Sequence, residues 1–232
     1  MLRILFFLIL AVVISPIYFN SPESKPKINF YWEIFLPSPA NAQTSSETDG
    51  SQAQIENHVL EMVVGSQDAE LTVVEYASFT CPHCAHFHKD VFKPLKENYI
   101  DTGKIRFVFR EVYFDKYGMW ASLVARCAGR EKFFGLTNLI LSTQDSWTRA
   151  GDDFAIVSEL EKLGKMAGLE EDALQGCLQD ADKLRALVKW YQKNATKDKI
   201  RSTPTFIING TSYSNMDYQD FSEILDKELK GR

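Results

Sequence analysis

Cys81-Pro82-His83-Cys84 stands where an apolar run, Leu71 to Phe79, gives way to an amphipathic pattern from His83 to Tyr99. No other feature constrains the chain as much. Two cysteines three apart at a helix start lie beside unpaired N–H groups and the positive end of the helix dipole. A free cysteine pKa of about 8.5 falls in such settings, often to roughly 3.5 to 7.5. Cys81 is therefore read as a nucleophile and Cys84 as its buried resolving partner. His83 adds a group beside the sulfur that can hydrogen-bond or carry positive charge, and Pro82 presets φ for the first helical position. Two other uses of the motif stay open. With His86 and His88 nearby the cysteines are half of a zinc site, although residues two apart on a helix fan over different faces. A purely structural disulfide is the other, although so small a loop constrains the unfolded chain little.

The segments around the motif alternate in period. Leu60 to Val64 reads as a short strand, Gly65-Ser66-Gln67-Asp68 as a turn, and Leu71 to Phe79 as a central strand rich in β-branched and aromatic residues. Phe87, Val91 and Leu95 mark the buried face of the helix that follows the cysteines, and Pro94 predicts a kink in it. Ile105 to Val112 restores strand alternation, which makes a β-α-β unit with parallel strands. From Phe114 to Lys199 the period is helical throughout. Thr205 to Ile208 is again a strand, Asn209-Gly210 a hairpin turn into a second edge strand near Ser212 and Tyr213, and Asp217 to Lys230 a closing helix.

The first residues carry Arg3 and then an apolar run from Ile4 to Ile14 ended by Ser15-Pro16. This pattern reads as an export signal, and Ala40-Asn41-Ala42 supplies small residues for cleavage. Residues 1–42 are thus a signal peptide, or an N-terminal anchor if the run is retained, and the polar residues 43–57 a flexible leader. Four cysteines in an exported chain imply an oxidising compartment. A net charge of −5 makes a poor nucleic-acid binder.

Strand, C-x-x-C at a helix start, strand, helical block, Thr-Pro, hairpin and helix together resemble a thioredoxin-like α/β fold with an inserted α-helical domain. Within that layout, Cys81-Pro82-His83-Cys84 is similar to the DsbA family of periplasmic thiol:disulfide oxidoreductases, whose dipeptide between the cysteines is Pro-His. The resemblance divides the chain into a first thioredoxin-like part at 58–114, a helical insertion at 115–199 and a second part at 200–232. It implies that Pro204, in Thr203-Pro204-Thr205, is a cis proline beside the cysteine pair, leaving the backbone before it free to pair with a substrate strand. Glu75, six residues before Cys81, resembles the family's buried acid, able to relay protons to Cys84; a plain strand-edge glutamate is the other reading. Thr203 stands where the best-known member has valine, and its hydroxyl could bond a thiolate, which favours an isomerase or reductase as the second functional reading. The resemblance further implies a structural disulfide between Cys127 and Cys177, against two free buried thiols. The remaining histidine, His58, and Trp120, Trp147 and Trp190 read as packing or surface residues. A periplasmic monomer is expected that oxidises newly exported, cysteine-containing proteins without a cofactor or metal and is itself reoxidised by a quinone-linked membrane protein. A non-catalytic zinc- or peptide-binding domain is the reading from a different class.

Overall fold

The computed structural model describes residues 59–231. The expected signal peptide or anchor, the leader and His58 lie outside them.

Strand β2 (Leu71–Ala77) is the centre of a five-stranded sheet. It pairs in parallel with β3 (Ile105–Glu111) and antiparallel with β4 (Thr205–Ile208). A short strand β1 (Met62–Val64) adds antiparallel to the outer edge of β3, and β5 (Thr211–Ser214) to the outer edge of β4, giving the order β1-β3-β2-β4-β5. The sequence places these strands because Leu71, Val73, Tyr76, Ile105, Phe107, Phe109, Phe206 and Ile208 are all fully enclosed, so a β-branched and aromatic run finds cover on both faces. Strand β1 is two residues shorter at its start than the reading from Leu60; Leu60 is 46% exposed and lies before the ladder. Gly65 ends β1 at φ 101, where a side chain would meet the Ile105 carbonyl at 2.6 Å. Asn209 and Gly210, both at positive φ, make the β4–β5 turn as the dipeptide predicts.

Helix α1 covers residues 82–100 and starts inside the C-P-H-C motif. Pro94 has no N–H to donate, and the helix runs through it with π-helical turns at Phe87–Val91 and Lys96–Ile100 on either side. Phe87 packs on Phe206 of β4 and on Phe221 of the last helix, α8 (Tyr218–Lys230), with ring centroids at 4.6 and 5.9 Å.

Between β3 and β4 lie six helices: α2 (Lys116–Cys127), α3 (Gly129–Ser142), α4 (Gln144–Trp147), α5 (Asp153–Met166), α6 (Glu171–Leu178) and α7 (Ala181–Lys197). Asp115, Asp152, Asp180 and Asp217 cap α2, α5, α7 and α8, each accepting from a backbone N–H three residues on. Each such cap is worth about 1 kcal/mol. The insert has its own apolar interior: Leu123, Val124, Phe133, Ile140, Leu160 and Leu174 are fully buried, as is Trp147, whose indole donates to the Ile140 carbonyl at 2.9 Å. Trp120 is buried too, while Trp190 lies half-buried against the guanidinium groups of Arg110 and Arg126. The protein is a thioredoxin-like fold carrying an inserted helical domain. Phe133 and Phe134 of α3 lie against Phe109 and Phe107 of β3, which joins insert and sheet through aromatic contact.

Candidate active site

The strand β2 ends at Ala77, and residues 78–81 turn the chain into α1. The Cys81 N–H donates to the Ser78 carbonyl at 3.1 Å, and the Thr80 hydroxyl donates to the Asp115 carboxylate at 2.7 Å, so the turn is held from within and from the start of α2. Cys81 occupies the N-cap with an extended backbone and Pro82 follows at the first helical position. A third restraint comes from the insert. The Gln144 amide of α4 donates to the Phe79 carbonyl at 2.7 Å and to the Cys81 carbonyl at 3.0 Å.

Both active-site cysteines are free thiols. Cys81 is 7% exposed and Cys84 is completely enclosed. Their environments pull them apart. The Cys84 thiol, hydrogen-bonded to the Cys81 sulfur, draws the Cys81 pKa down to about 5 against the opposing effect of burial, helped by Thr203 and by the backbone N–H groups of Cys84 and His83. Burial pushes the Cys84 thiol far up, and the hydrogen bond with Cys81 and the charges of Glu75 and Cys81 push it further. One sulfur is therefore anionic at neutral pH while its neighbour keeps its proton. His83 is exposed at the rim, and the support it gives the Cys81 sulfur comes from its backbone.

The Thr203–Pro204 peptide is cis, and the Thr203 carbonyl oxygen lies 3.4 Å from Cys81 Sγ, from which it accepts when the sulfur is protonated. The Thr203 hydroxyl is buried and has no hydrogen-bond partner among the described residues, and Thr203 favours the Cys81 thiolate. Glu75 is completely enclosed near the middle of β2, between Phe109 of β3 and Phe206 of β4 in register. The structure thus brings Cys81, Pro82, His83, Cys84, Thr203, Pro204 and Glu75 into one region. Cys127 and Cys177 stand apart in the insert, joined by an S–S bond of 2.06 Å between α2 and α6. Among the described residues, no three histidine, cysteine or acidic side chains gather as metal ligands. No helix of the described residues is long and apolar enough to cross a membrane.

The roles of two residues escaped the sequence reading, which weighed His88 as a zinc ligand alone. His88 lies buried with its Nε2 2.9 Å from Glu75 Oε2 and its Nδ1 2.8 Å from Asn138 Oδ1. Its spacing of four from Cys84, which puts the two on one face of a helix, was the available signal. Gln144 carried no such signal, since nothing local to it marks a contact made 63 residues away.

Comparison with known proteins agrees with this geometry. A family model described as thioredoxin matches residues 57–227. A Rickettsia prowazekii protein named as a protein-disulfide oxidoreductase is 36% identical over 171 residues, which is 73% of this chain and 61% of that protein, so the chain spans less than two thirds of that relative's length. The disulfide bond formation protein D of Bacillus subtilis is 28% identical, over 73% of this chain and 78% of its own. The crystal structure of alpha-DsbA1 from Wolbachia pipientis superposes with a TM-score of 0.69 at 27% identity, covering 74% of this chain and 92% of that one. The chain belongs to the thioredoxin family and, within it, to the DsbA-like proteins.

Proposed function

We propose that the protein is a thiol:disulfide oxidase that introduces disulfide bonds into exported proteins through the Cys81–Cys84 pair. The observation that carries this reading is the divergence of the two sulfurs, with Cys81 favoured as a thiolate at about 5 and Cys84 held as a thiol. A substrate thiolate attacks Cys81 Sγ of the oxidised pair. The Cys81–Cys84 bond breaks and Cys84 leaves with the electron pair, taking a proton. A second substrate thiolate then attacks the substrate sulfur of the mixed disulfide and expels Cys81 as a thiolate, so the substrate leaves oxidised and the enzyme reduced. The lower the Cys81 pKa, the better a leaving group it is and the stronger the oxidant.

The remaining residues take roles in that cycle. Pro82 and His83 shape and flank the helix start, and a substrate strand pairs with the backbone before Pro204. Glu75, whose charge bears on Cys84 through the core, serves as the proton relay to the resolving cysteine. Cysteine-containing chains emerging into the periplasm are the substrates, a quinone-linked membrane protein restores the disulfide, and the working form is a monomer.

The test is the equilibrium of Cys81–Cys84 with reduced and oxidised glutathione. An oxidase keeps its dithiol form stable in a pool that oxidises ordinary dithiols; a pair that stays oxidised in reducing glutathione buffers overturns the assignment. Thr203 favours a second reading, isomerase or reductase, because its buried hydroxyl is unpaired among the described residues and Thr203 lowers the Cys81 pKa. Parallel refolding of a reduced and of a scrambled multi-cysteine protein separates the two: strong recovery of the scrambled form with weak oxidation selects the isomerase.

A further inference from the structure

Glu75 lies in the middle of the sheet, and among the described residues its partner on Oε2 is a histidine as buried as itself, with side-chain exposures of 0% and 1%. His88 Nδ1 faces Asn138 Oδ1, which accepts and cannot donate, so Nδ1 carries a hydrogen. The contact of 2.9 Å between Nε2 and Oε2 then holds a proton of its own, on the acid or on the imidazole, because two lone pairs at that distance repel. Glu75 Oε1 is buried and has no partner. The groups that face His88 are Glu75 from β2, Asn138 from α3, the ring of Phe109 from β3, and Phe87 and Phe92 on its own helix. Among the described residues, Glu75 is thus the ionisable group in contact with it. Asn138, unlike the others, is partly exposed and leads from the pair toward solvent.

We propose that His88 is a positioning residue for proton transfer at Cys84: it holds Glu75 in a buried pair that takes the Cys84 proton when this sulfur attacks and returns it when this sulfur leaves. The proposal rests on the oxidoreductase reading and adds to it a residue the chemistry acts through. When Cys84 attacks a mixed disulfide on Cys81, its S–H proton passes by way of a water to Glu75 Oε1, whose lone pairs no protein atom among the described residues occupies, and the shared proton settles on His88 Nε2. A neutral acid beside an imidazolium results, and the positive ring offsets the new thiolate. The Cys84 sulfur then bonds Cys81 Sγ, the bond from Cys81 to the substrate breaks, and the substrate sulfur departs with the electron pair. Two cysteines are oxidised, one substrate disulfide is reduced, and the surplus proton drains to solvent. In the opposite direction Cys84 departs from Cys81 and takes the proton back. Glutamate alone would have to accept that proton with no compensating charge in an apolar site, where an unpaired thiolate is most costly.

The experiment follows glutathione release from Cys81 after reaction of the reduced protein with oxidised glutathione, across pH, in the full chain and in His88→Gln. Glutamine keeps a hydrogen bond to Glu75 and cannot take a proton. Release should slow by about 10-fold or more, since a general acid–base group contributes roughly 10²–10⁴-fold, and its pH profile should move. Cys81 alkylation by iodoacetamide should keep its wild-type pH midpoint, which a merely structural lesion at the helix start would shift. Release at the wild-type rate with an unmoved profile overturns the proposal. If His88→Gln does not fold, the wild-type protein decides: release must slow in deuterium oxide, and equal rates overturn the proposal. An ordinary pH midpoint for Cys81 in the wild-type protein would instead sink the oxidoreductase reading, and the same samples report it.

Discussion

Cys81 and Cys84 stand three residues apart at a helix start, both enclosed and both thiols, whereas Cys127 and Cys177 are 50 residues apart in sequence and bridge two helices of the insert. The first pair closes a loop too short to restrict the unfolded chain, and its surroundings are built to make one sulfur an anion and the other a thiol. The second pair sits at helix C-termini and is already joined: Cys127 closes α2 and Cys177 lies in the last turn of α6. Spacing and position along a helix, not cysteine content, separate a bond suited to exchange from one suited to staying closed.

The sharpest way to break that contrast is Cys81→Ser, which should abolish disulfide exchange with a reduced peptide while Cys127–Cys177 remains closed; residual turnover would mean that the insert pair is itself exchangeable. Next in size, replacing Cys127 and Cys177 together by alanine should cost about 4 kcal/mol by the chain-entropy model for a loop of this length. Denaturant unfolding measures it, and the Cys81 alkylation profile should be unchanged. A variant as stable as the parent would show the bridge to be incidental.

Acidity offers a finer probe. The Cys81 pKa falls on folding from an ordinary thiol value to about 5, so the stability its thiolate contributes is full above the unfolded value and fades as pH falls toward 5. The reduced protein should therefore melt above the oxidised one by a margin that narrows steadily from pH 8 to pH 5. A margin indifferent to pH contradicts the assigned thiolate. The smallest expected change is that of Thr203→Val, which removes the hydroxyl from the Cys81 sulfur. A hydrogen bond to a charged group is worth about 1.5 kcal/mol, which corresponds to a rise of about one unit in the alkylation midpoint. An unmoved midpoint would place the control of Cys81 entirely with Cys84 and the helix start.

Much of this was legible before any coordinates. Leu71 to Ala77 and Thr205 to Ile208 announce themselves because a strand enclosed on both faces has to be apolar at nearly every position, and Asn209-Gly210 because a two-residue turn at positive φ admits few residues. The site was legible where its chemistry is local: the cysteines, the proline between them and the histidine beside them are consecutive. It was illegible where chemistry depends on what arrives from elsewhere. His88 reads as one of three histidines near a C-x-x-C until Glu75 and Asn138 are seen on its two nitrogens. The π-helical turns around Pro94 were equally hidden, since a missing N–H can be accommodated by a kink or by widening, and packing chooses between them.

Gln144 gives the insertion a standing that its place between two strands does not suggest. Excising the helical block would leave the Phe79 carbonyl without the amide that caps it and the Cys81 carbonyl with the Ala85 N–H alone. It would also strip the buried Glu111 carboxylate of β3 of Arg126, which meets it at 2.5 and 2.8 Å. The orphaned Phe79 carbonyl costs about 1–3 kcal/mol, and the stranded carboxylate more. The block is thus contiguous in the sequence and indivisible in the fold: a shortened protein reduced to the sheet, α1 and α8 would inherit the cysteine motif without the ground it stands on.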